Sequence, residues 1–236
     1  MSAPDILFLH GFATSGSVWR DVVAALPGRR CLTPDLRGFG SAEPAPTGWE
    51  LDDWVDEAAS FMMPLVRFVL VGHSMGGKLA TLLAARRPAG LERLVLVAPS
   101  PPVPEPIPDR AKMLAARGDR AAAEDTAYAI SHRARRDPDV LDALVSDSLR
   151  TDRAAWIWWV QRGSRADVTD QAARIAVPTL LLAGADDTNI PVAFLKEHAL
   201  PRLPGGRMSV LPGSRHMIPL DAPGALAAHI AALNEP

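Results

Sequence analysis

The stretch FVLVGHSMGG, residues 68–77, decides the fold. Its four leading apolar residues are followed by a serine, Ser74, with Gly72 two positions before it and Gly76 two positions after it. A G-x-S-x-G sequence between a buried strand and a helix is typical of a nucleophile elbow, a tight and strained turn that exposes the serine hydroxyl. The helical pattern LATLLAA follows shortly after, and this context favours a nucleophile over an ordinary glycine-rich turn.

Short apolar runs recur along the chain and alternate with segments of helical periodicity. Strands that alternate with helices imply right-handed crossovers and a mostly parallel sheet. Runs this apolar fit strands that are covered on both faces. The sequence thus predicts an α/β fold, with a mostly parallel sheet of about six strands and helices on both faces. The predicted strands are ILFL (6–9), CLTP (31–34), FVLV (68–71), LVLVA (94–98), TLLLA (179–183) and MSVL (208–211).

Helical spacing of apolar residues marks the segments between these strands. The predicted helices are SVWRDVVAAL (17–26), ELDDWVDEAASFM (50–62), KLATLLAAR (78–86) and DAPGALAAHIAAL (221–233). The alternation breaks after Pro99, where the proline-rich APSPPVPEPIPD leads into alanine-rich and charged segments without a strand-like run. We predict a core domain formed by residues 1–99 and 177–236, with a helical cap, or lid, inserted at residues 100–176.

Composition and charge favour a small-molecule partner. The chain has 236 residues with 25 basic and 27 acidic side chains, so its formal charge of −2 attracts neither nucleic acid nor an anionic membrane. Cys31 is the only cysteine, which excludes an internal disulfide and a cysteine-based metal site and suits the cytoplasm. The N-terminal residues do not resemble a secretory signal, and no apolar run is long enough to span a bilayer. Nothing in the sequence favours one oligomeric state over another.

A serine hydroxyl needs a base to take its proton, and six histidines are available. His216 lies in LPGSRHMIP, a loop between the last predicted strand and the last helix, from which a ring can reach the carboxyl ends of the strands. We predict that His216 is the base. The other candidates are His10 at the end of the first strand, His73 in the elbow, His132 in the lid, and His198 and His229 on predicted helices.

The acid that orients this base is expected at another strand end. AGADDTNIP, residues 183–191, places two aspartates directly after TLLLA. We choose Asp187, with Asp186 as the alternative, and expect the other aspartate to cap the turn or the next helix through backbone bonds. The resulting order of serine, aspartate and histidine matches one known arrangement of the catalytic triad.

Five motifs follow one another along the chain, and their sequences and order resemble those of the α/β-hydrolase superfamily. They are HGF (10–12), DLRGFG (35–40), GHSMGG (72–77), GADDTNIP (184–191) and GSRHM (213–217). The resemblance covers nearly the whole chain and is strongest to small bacterial carboxylesterases and hydrolases similar to pimeloyl-carrier-protein methyl esterases. The family sheet usually opens with two further strands, whereas here the first run begins at residue 6.

The resemblance also implies how the site works. It places the oxyanion hole on the backbone N–H groups of Phe12 and Met75, and it requires neither a cofactor nor a metal. The ring of His10 is expected to fix the oxyanion loop by bonding to nearby backbone. Asp35 and Arg37 are expected to hold the DLRGFG turn.

The predicted lid contains AAWIWWVQ, residues 154–161, with Trp156 and Trp159 on one helical face and Trp158 on another. Trp156 and Trp159 either roof an acyl pocket or simply pack the lid helix onto the core, and the sequence leaves both open. The basic segment HRARR, residues 132–136, is interpreted as a solvated helix face, because DPD follows it directly.

The function expected from the resemblance is hydrolysis of a small or medium carboxylic ester through an acyl-enzyme on Ser74. Lactonase, carbon–carbon bond hydrolase, perhydrolase and hydroxynitrile lyase activities use the same triad and remain alternatives. A slow-turnover ligand receptor with this fold is an alternative of another class. Ser74 argues against epoxide hydrolases and haloalkane dehalogenases, in which an aspartate is expected at this position.

Overall fold

A computed structural model describes residues 3–232 and contains one sheet of six parallel strands in the order β2-β1-β3-β4-β5-β6. All six predicted strands are present, which confirms the expected fold class. The strands are β1 (Asp5–Leu9), β2 (Cys31–Leu32), β3 (Phe68–His73), β4 (Leu91–Val97), β5 (Thr179–Gly184) and β6 (Arg207–Leu211). Strand β2 is two residues shorter than predicted, since Pro34 has no N–H to extend the ladder.

Eleven α-helices are assigned within residues 3–232. They are α1 (Arg20–Ala24), α2 (Leu51–Ser60), α3 (Met75–Ala85), α4 (Arg110–Ala115), α5 (Arg120–Ile130), α6 (Pro138–Arg150), α7 (Arg153–Gln161), α8 (Thr169–Ala172), α9 (Val192–His198), α10 (Ile218–Asp221) and α11 (Pro223–Ala232). The first predicted helix forms as a 3₁₀ turn, Gly16–Trp19, followed by the short α1. The last predicted residue of the C-terminal helix, Leu233, lies outside the described residues.

Two apolar layers cover the sheet because successive strand residues point to opposite faces. Leu7 and Leu9 of β1 face a layer that includes Trp54 of α2 and Leu79 of α3. The alternate residues Ile6 and Phe8 pack with side chains of α1, α6, α10 and α11. Every residue of β3 and β5 is buried, as expected for strands covered on both sides.

The chain between β4 and β5 contains helices α4 to α8 and no strand. The expected helical character of this segment is therefore present, while its division from the core at residues 100 and 176 stays a prediction. Across residues 3–232, no helix is both long enough and apolar enough to cross a membrane.

The strand order determines where a site can form. After β1 the chain moves outward to β2 and then returns to the other side of β1 to form β3. Such a switch point leaves a crevice at the carboxyl ends of the two strands, which is where open α/β sheets bind ligands. The loop after β1 carries Phe12 and the turn after β3 carries Ser74, so both border this crevice.

Gly76 marks the closest approach of α3 to β1. A Cβ atom on Gly76 would overlap the carbonyl oxygens of Leu9 and His10, which are backbone atoms and have little freedom to move. We expect Gly76→Ala to lower the free energy of unfolding by about 1–3 kcal/mol through overpacking, measured by urea denaturation. The control is Gly224→Ala, where a Cβ atom meets no neighbour. Equal stability of the two variants would contradict this account.

Candidate active site

Ser74 occupies the turn between β3, which ends at His73, and α3, which begins at Met75. Its backbone has φ 50° and ψ −118°, a conformation that non-glycine residues rarely adopt and that costs on the order of 1–3 kcal/mol. Surrounding backbone bonds hold the turn: the N–H of Ser74 donates to Val97 O at 3.1 Å, and the N–H of Ser100 donates to Ser74 O at 2.9 Å. The predicted strained elbow is therefore present at Ser74.

His216 lies in the loop between β6 and α10, and its ring reaches Ser74. The distance from His216 Nε2 to Ser74 Oγ is 2.9 Å, and the distance from His216 Nδ1 to Asp187 Oδ2 is also 2.9 Å. Because the Asp187 carboxylate can only accept, Nδ1–H donates to it, which leaves Nε2 free to accept the hydroxyl proton of Ser74. The structure thus brings together the three side chains chosen from the sequence, and all three are buried.

Asp187 follows β5 and is held by the turn that it begins. Its Oδ1 accepts from the backbone N–H groups of Asn189 at 2.8 Å and Ile190 at 3.0 Å, while Oδ2 faces His216. Burial opposes ionisation of this carboxyl, but the charge and hydrogen bond of His216, together with these N–H groups, lower its pKa below the ordinary value. Asp187 is therefore a fixed carboxylate.

The expectation for Asp186 was wrong. Its carboxylate does not cap the turn through backbone bonds but lies 3.0 Å from Nε2 of His132, at the surface. The backbone bonds expected of the aspartate that does not orient the base are instead made by Asp187. Within the neighbouring HRARR segment, Arg133 pairs with Asp21 and Asp137.

His216 experiences opposing electrostatic effects. Burial disfavours the charged ring, but the charge of Asp187, its hydrogen bond and the nearby carboxylate of Glu105 together raise the pKa of His216 above 6.5. A proton taken from Ser74 is therefore accommodated more readily than on an isolated imidazole.

This shift determines the expected pH dependence. The base predicted from the sequence must be unprotonated to accept a proton, so we expect activity to rise as the pH passes upward through the pKa of His216. Since that pKa is raised, we expect the acid limb of log kcat/KM against pH to have its midpoint above pH 6.5. The measurement is a pH series of initial rates at low ester concentration. A midpoint below pH 6.5 would contradict the arrangement described here.

The loop after β1 is fixed from three sides. His10, which is fully buried, accepts the N–H of Leu36 at Nε2 (3.0 Å) and bonds through Nδ1 to Gly11 O (2.8 Å), so its expected role in binding backbone is confirmed. Thr14 Oγ1 also donates to Gly11 O. Ser15 donates its hydroxyl to Asp147 of α6 at 2.7 Å, so a helix of the inserted segment holds the end of this loop.

The predicted oxyanion donors, Phe12 and Met75, lie on the loop after β1 and at the start of α3. Met75 is the first residue of α3, and the first N–H groups of a helix have no partner within it. Phe12 directly follows Gly11 on the facing loop. Their role as donors stays a prediction.

The DLRGFG turn is held as expected. The Asp35 carboxylate accepts from the backbone N–H of Gly16 at 2.7 Å and from the N–H and hydroxyl of Ser41, both at 2.8 Å. Arg37 forms its own pair with Glu57 of α2 at 3.6 Å. Asp35 therefore connects this turn to the end of the β1 loop.

The tryptophans of α7 separate by helix face as predicted. Trp156 and Trp159 contact the ring of Phe12, with ring centroids 4.8 Å and 6.3 Å away, whereas Trp158 stacks on Trp54 of α2 at 4.5 Å. All three α7 tryptophans are buried. Trp156 and Trp159 thus lie over the loop after β1. Their role in lining an acyl pocket stays a prediction.

Lys78 is a site feature that the sequence analysis missed. It lies on α3, one turn beyond Ser74, and its side chain is buried. Nζ donates to Ala166 O at 2.8 Å and lies 3.5 Å from Val103 O, so it holds both ends of the segment inserted between β4 and β5. Burial lowers the pKa of Lys78 to about 8, and the charge of Glu105 partly opposes this. A lysine directly before the apolar run LATLLAA, on a helix expected to be buried, was the available signal.

Within residues 3–232, no group of three or more histidine, cysteine, aspartate or glutamate side chains is placed to hold a metal ion. Cys31 is a free, half-buried thiol on β2, and burial raises its pKa, so it is not a ready thiolate.

Known proteins resemble this chain in sequence and in structure. Two curated relatives are a non-heme chloroperoxidase, CPO-A1, from Kitasatospora aureofaciens, 26% identical over 92% of this chain and 87% of the relative, and a pimeloyl-[acyl-carrier protein] methyl ester esterase from Aeromonas hydrophila, 37% identical over 42% of this chain and 39% of the relative. Among solved structures, the enol-lactonase from Burkholderia xenovorans superposes with a TM-score of 0.86 and 26% identity, over 100% of this chain and 93% of that one.

A family model covers almost the whole chain. The model described as "Alpha/beta hydrolase family" matches residues 6–229, which include strands β2 to β6, all of β1 except Asp5, and the side chains of Ser74, Asp187 and His216. The chain therefore belongs to the alpha/beta hydrolase family.

Proposed function

We propose that this protein is a serine hydrolase that cleaves small or medium carboxylic esters through an acyl-enzyme on Ser74. The observation that supports the proposal is the pair of 2.9 Å contacts linking Ser74 Oγ, the His216 ring and the Asp187 carboxylate. This is the arrangement that turns a weakly nucleophilic hydroxyl into an attacking group. Its members come from three different strand ends, as expected for a site assembled by the sheet.

In the acylation step, His216 Nε2 takes the hydroxyl proton while Ser74 Oγ attacks the ester carbonyl carbon. The negative charge that develops on the carbonyl oxygen is received by the N–H groups of Phe12, on the loop after β1, and Met75, at the start of α3. His216 then gives the proton to the leaving alcohol as the C–O bond breaks. Asp187 stabilises the positively charged ring throughout.

Deacylation repeats this sequence with water. His216 takes a proton from the water, the hydroxide attacks the acyl carbon, and Ser74 leaves with the proton returned to its oxygen. The products are a carboxylic acid and the free hydroxyl of Ser74. No external electron donor or acceptor is involved in either step.

The size of the acyl group is expected to be limited by α7. Trp156 and Trp159 pack on Phe12, so an acyl chain bound beside the oxyanion loop meets large aromatic rings. A cyclic ester is a second candidate substrate, favoured by the likeness to an enol-lactonase over the whole of this chain. Both substrates require the same attack by Ser74.

The test is a rate series with p-nitrophenyl esters from acetate to decanoate, together with a set of simple lactones. We expect many turnovers per enzyme and an optimum at short or medium acyl length. Quenched samples analysed by intact mass should carry one acyl group, and peptide mapping should locate it at Ser74. A fluorophosphonate probe should label the same residue with one-to-one stoichiometry.

The outcomes separate the alternatives. Turnover of lactones with inert linear esters would favour the cyclic-ester candidate. A single burst of product without further turnover would favour a slow-turnover ligand receptor. Acylation at a residue other than Ser74 would refute the proposal.

A further inference from the structure

His73 connects the nucleophile to the loop that carries the base. It is the last residue of β3 and directly precedes Ser74, and its side chain is buried. Its Nε2 lies 3.0 Å from the backbone carbonyl oxygen of His216. Because a carbonyl oxygen only accepts, Nε2 must carry the proton and donate it. The backbone of His216 is thus anchored by the residue next to Ser74.

The ring of His73 is seated against the oxyanion loop. A Cβ atom on Gly11 would lie 2.7 Å from His73 Nδ1, so the ring fits only because residue 11 is a glycine. Two further rings enclose it, that of His216 at 5.0 Å and that of Trp19 at 6.2 Å between centroids. The turn that carries Ser74, the loop after β1 and the loop that carries His216 therefore meet at one imidazole.

The surroundings of His73 keep it neutral. Its Nδ1 is buried without a hydrogen-bond partner among the described residues, as expected for the bare nitrogen of a neutral ring. Burial first, and then the charge of His216, lower the pKa of His73 to about 3. The other ionisable groups that influence it are Asp187 and His10. The ring therefore adds no positive charge beside His216 when His216 becomes protonated.

We propose that His73 is a positioning residue that sets the distance between the His216 ring and Ser74 Oγ by holding the His216 carbonyl. This inference depends on the proposed function, since it assigns His73 a role in the proton transfer from Ser74 to His216. The physical reason is that proton transfer needs the 2.9 Å contact, and a displacement of the base by about 1 Å can cost on the order of 10²-fold in rate. His73 itself touches neither the substrate nor the transferred proton.

A matched pair of amide variants isolates the hydrogen bond. In His73→Gln the amide nitrogen can occupy the place of Nε2, whereas in His73→Asn the shorter side chain places it near Nδ1, out of reach of the His216 carbonyl. We expect His73→Asn to lower kcat by about 10- to 100-fold with KM changed less than twofold. His73→Gln should stay within about threefold of the unaltered protein. Equal kcat values for the two variants would overturn the proposal.

Nitrogen NMR of the unaltered protein gives a second test that needs neither turnover nor a variant. We expect His73 to carry its proton on Nε2 and none on Nδ1 from pH 5 to pH 9. A proton found on His73 Nδ1 would overturn the proposal even if both amide variants failed to fold. An unaltered protein that does not hydrolyse esters would instead refute the proposed function, with the NMR result for His73 standing separately.

Discussion

Ser74→Ala is expected to lower kcat for ester hydrolysis by about 10⁴- to 10⁶-fold. The hydroxyl oxygen is the atom that forms the acyl-enzyme, and neither His216 nor Asp187 can replace it. In serine hydrolases, removal of the nucleophile costs about as much as removal of the whole triad, because its members act as a unit. The measurement is initial rates with the preferred p-nitrophenyl ester, together with labelling by a fluorophosphonate probe. Labelling should be absent from the variant.

The matched control is Ser60→Ala. Ser60 is an exposed serine at the end of α2 whose hydroxyl donates to the backbone of Glu57, and it contacts none of the three site residues. It should retain full activity and full labelling. Ser74→Ala should also be about as stable as the unaltered protein, since alanine keeps the Cβ atom, and with it the backbone strain of this turn, and removes only the hydroxyl. Residual activity above about 1% in Ser74→Ala would be inconsistent with the proposed mechanism.

Asp187→Asn is expected to lower kcat by about 10³- to 10⁴-fold while leaving the backbone turn in place. The asparagine oxygen can still accept from Asn189 and Ile190, but its amide can present N–H to His216. His216 Nδ1 would then lose its proton, and Nε2 would carry it and could no longer accept from Ser74. The loss of the carboxylate charge should also lower the pKa of His216.

Asp186→Asn provides the matched control for this prediction. It makes the same chemical change one residue earlier, at an exposed side chain that pairs with His132. We expect its kcat to stay within about twofold of the unaltered protein. The two variants should also differ in their pH profiles, with the acid limb of the weak Asp187→Asn activity displaced to lower pH. A larger loss in Asp186→Asn than in Asp187→Asn would reverse the assignment of the acid.

The sequence was sufficient to predict the sheet and the three central side chains for a local reason. Each of these residues lies within five positions after a short apolar run, and the carboxyl ends of parallel strands lie along one edge of a sheet. Ser74, Asp187 and His216 are far apart in the chain, but the parallel sheet brings them to that edge. The contact of Trp156 with Phe12 agrees with the predicted helix face, although the sequence alone did not reveal the partner.

The contacts that sequence reasoning missed are all tertiary. The pairing of Asp186 with His132 joins the turn after β5 to the inserted segment, and no local pattern of residues specifies it. The same holds for the bond from Ser15 to Asp147, which are 132 positions apart. Side chains such as Asp186 have two competing kinds of partner, nearby backbone and a distant ring, and only the packing of the helices decides between them.

Lys78 also determines how this protein can be recombined with its relatives. Strands β4 and β5 pair side by side, so the ends of the segment between them are already held together, and the length of that segment adds little to the entropy of closing the loop. A graft with its junctions inside residues 104–165 keeps the carbonyl groups of Val103 and Ala166 for the lysine. A graft joined at the strand ends replaces both residues, and a graft that places no carbonyl group near Nζ leaves a buried ammonium ion unpaired, which costs about 3 kcal/mol or more. The junctions for exchanging this segment therefore lie inside the segment and not at the strand ends, and the bonds of Lys78 determine their position.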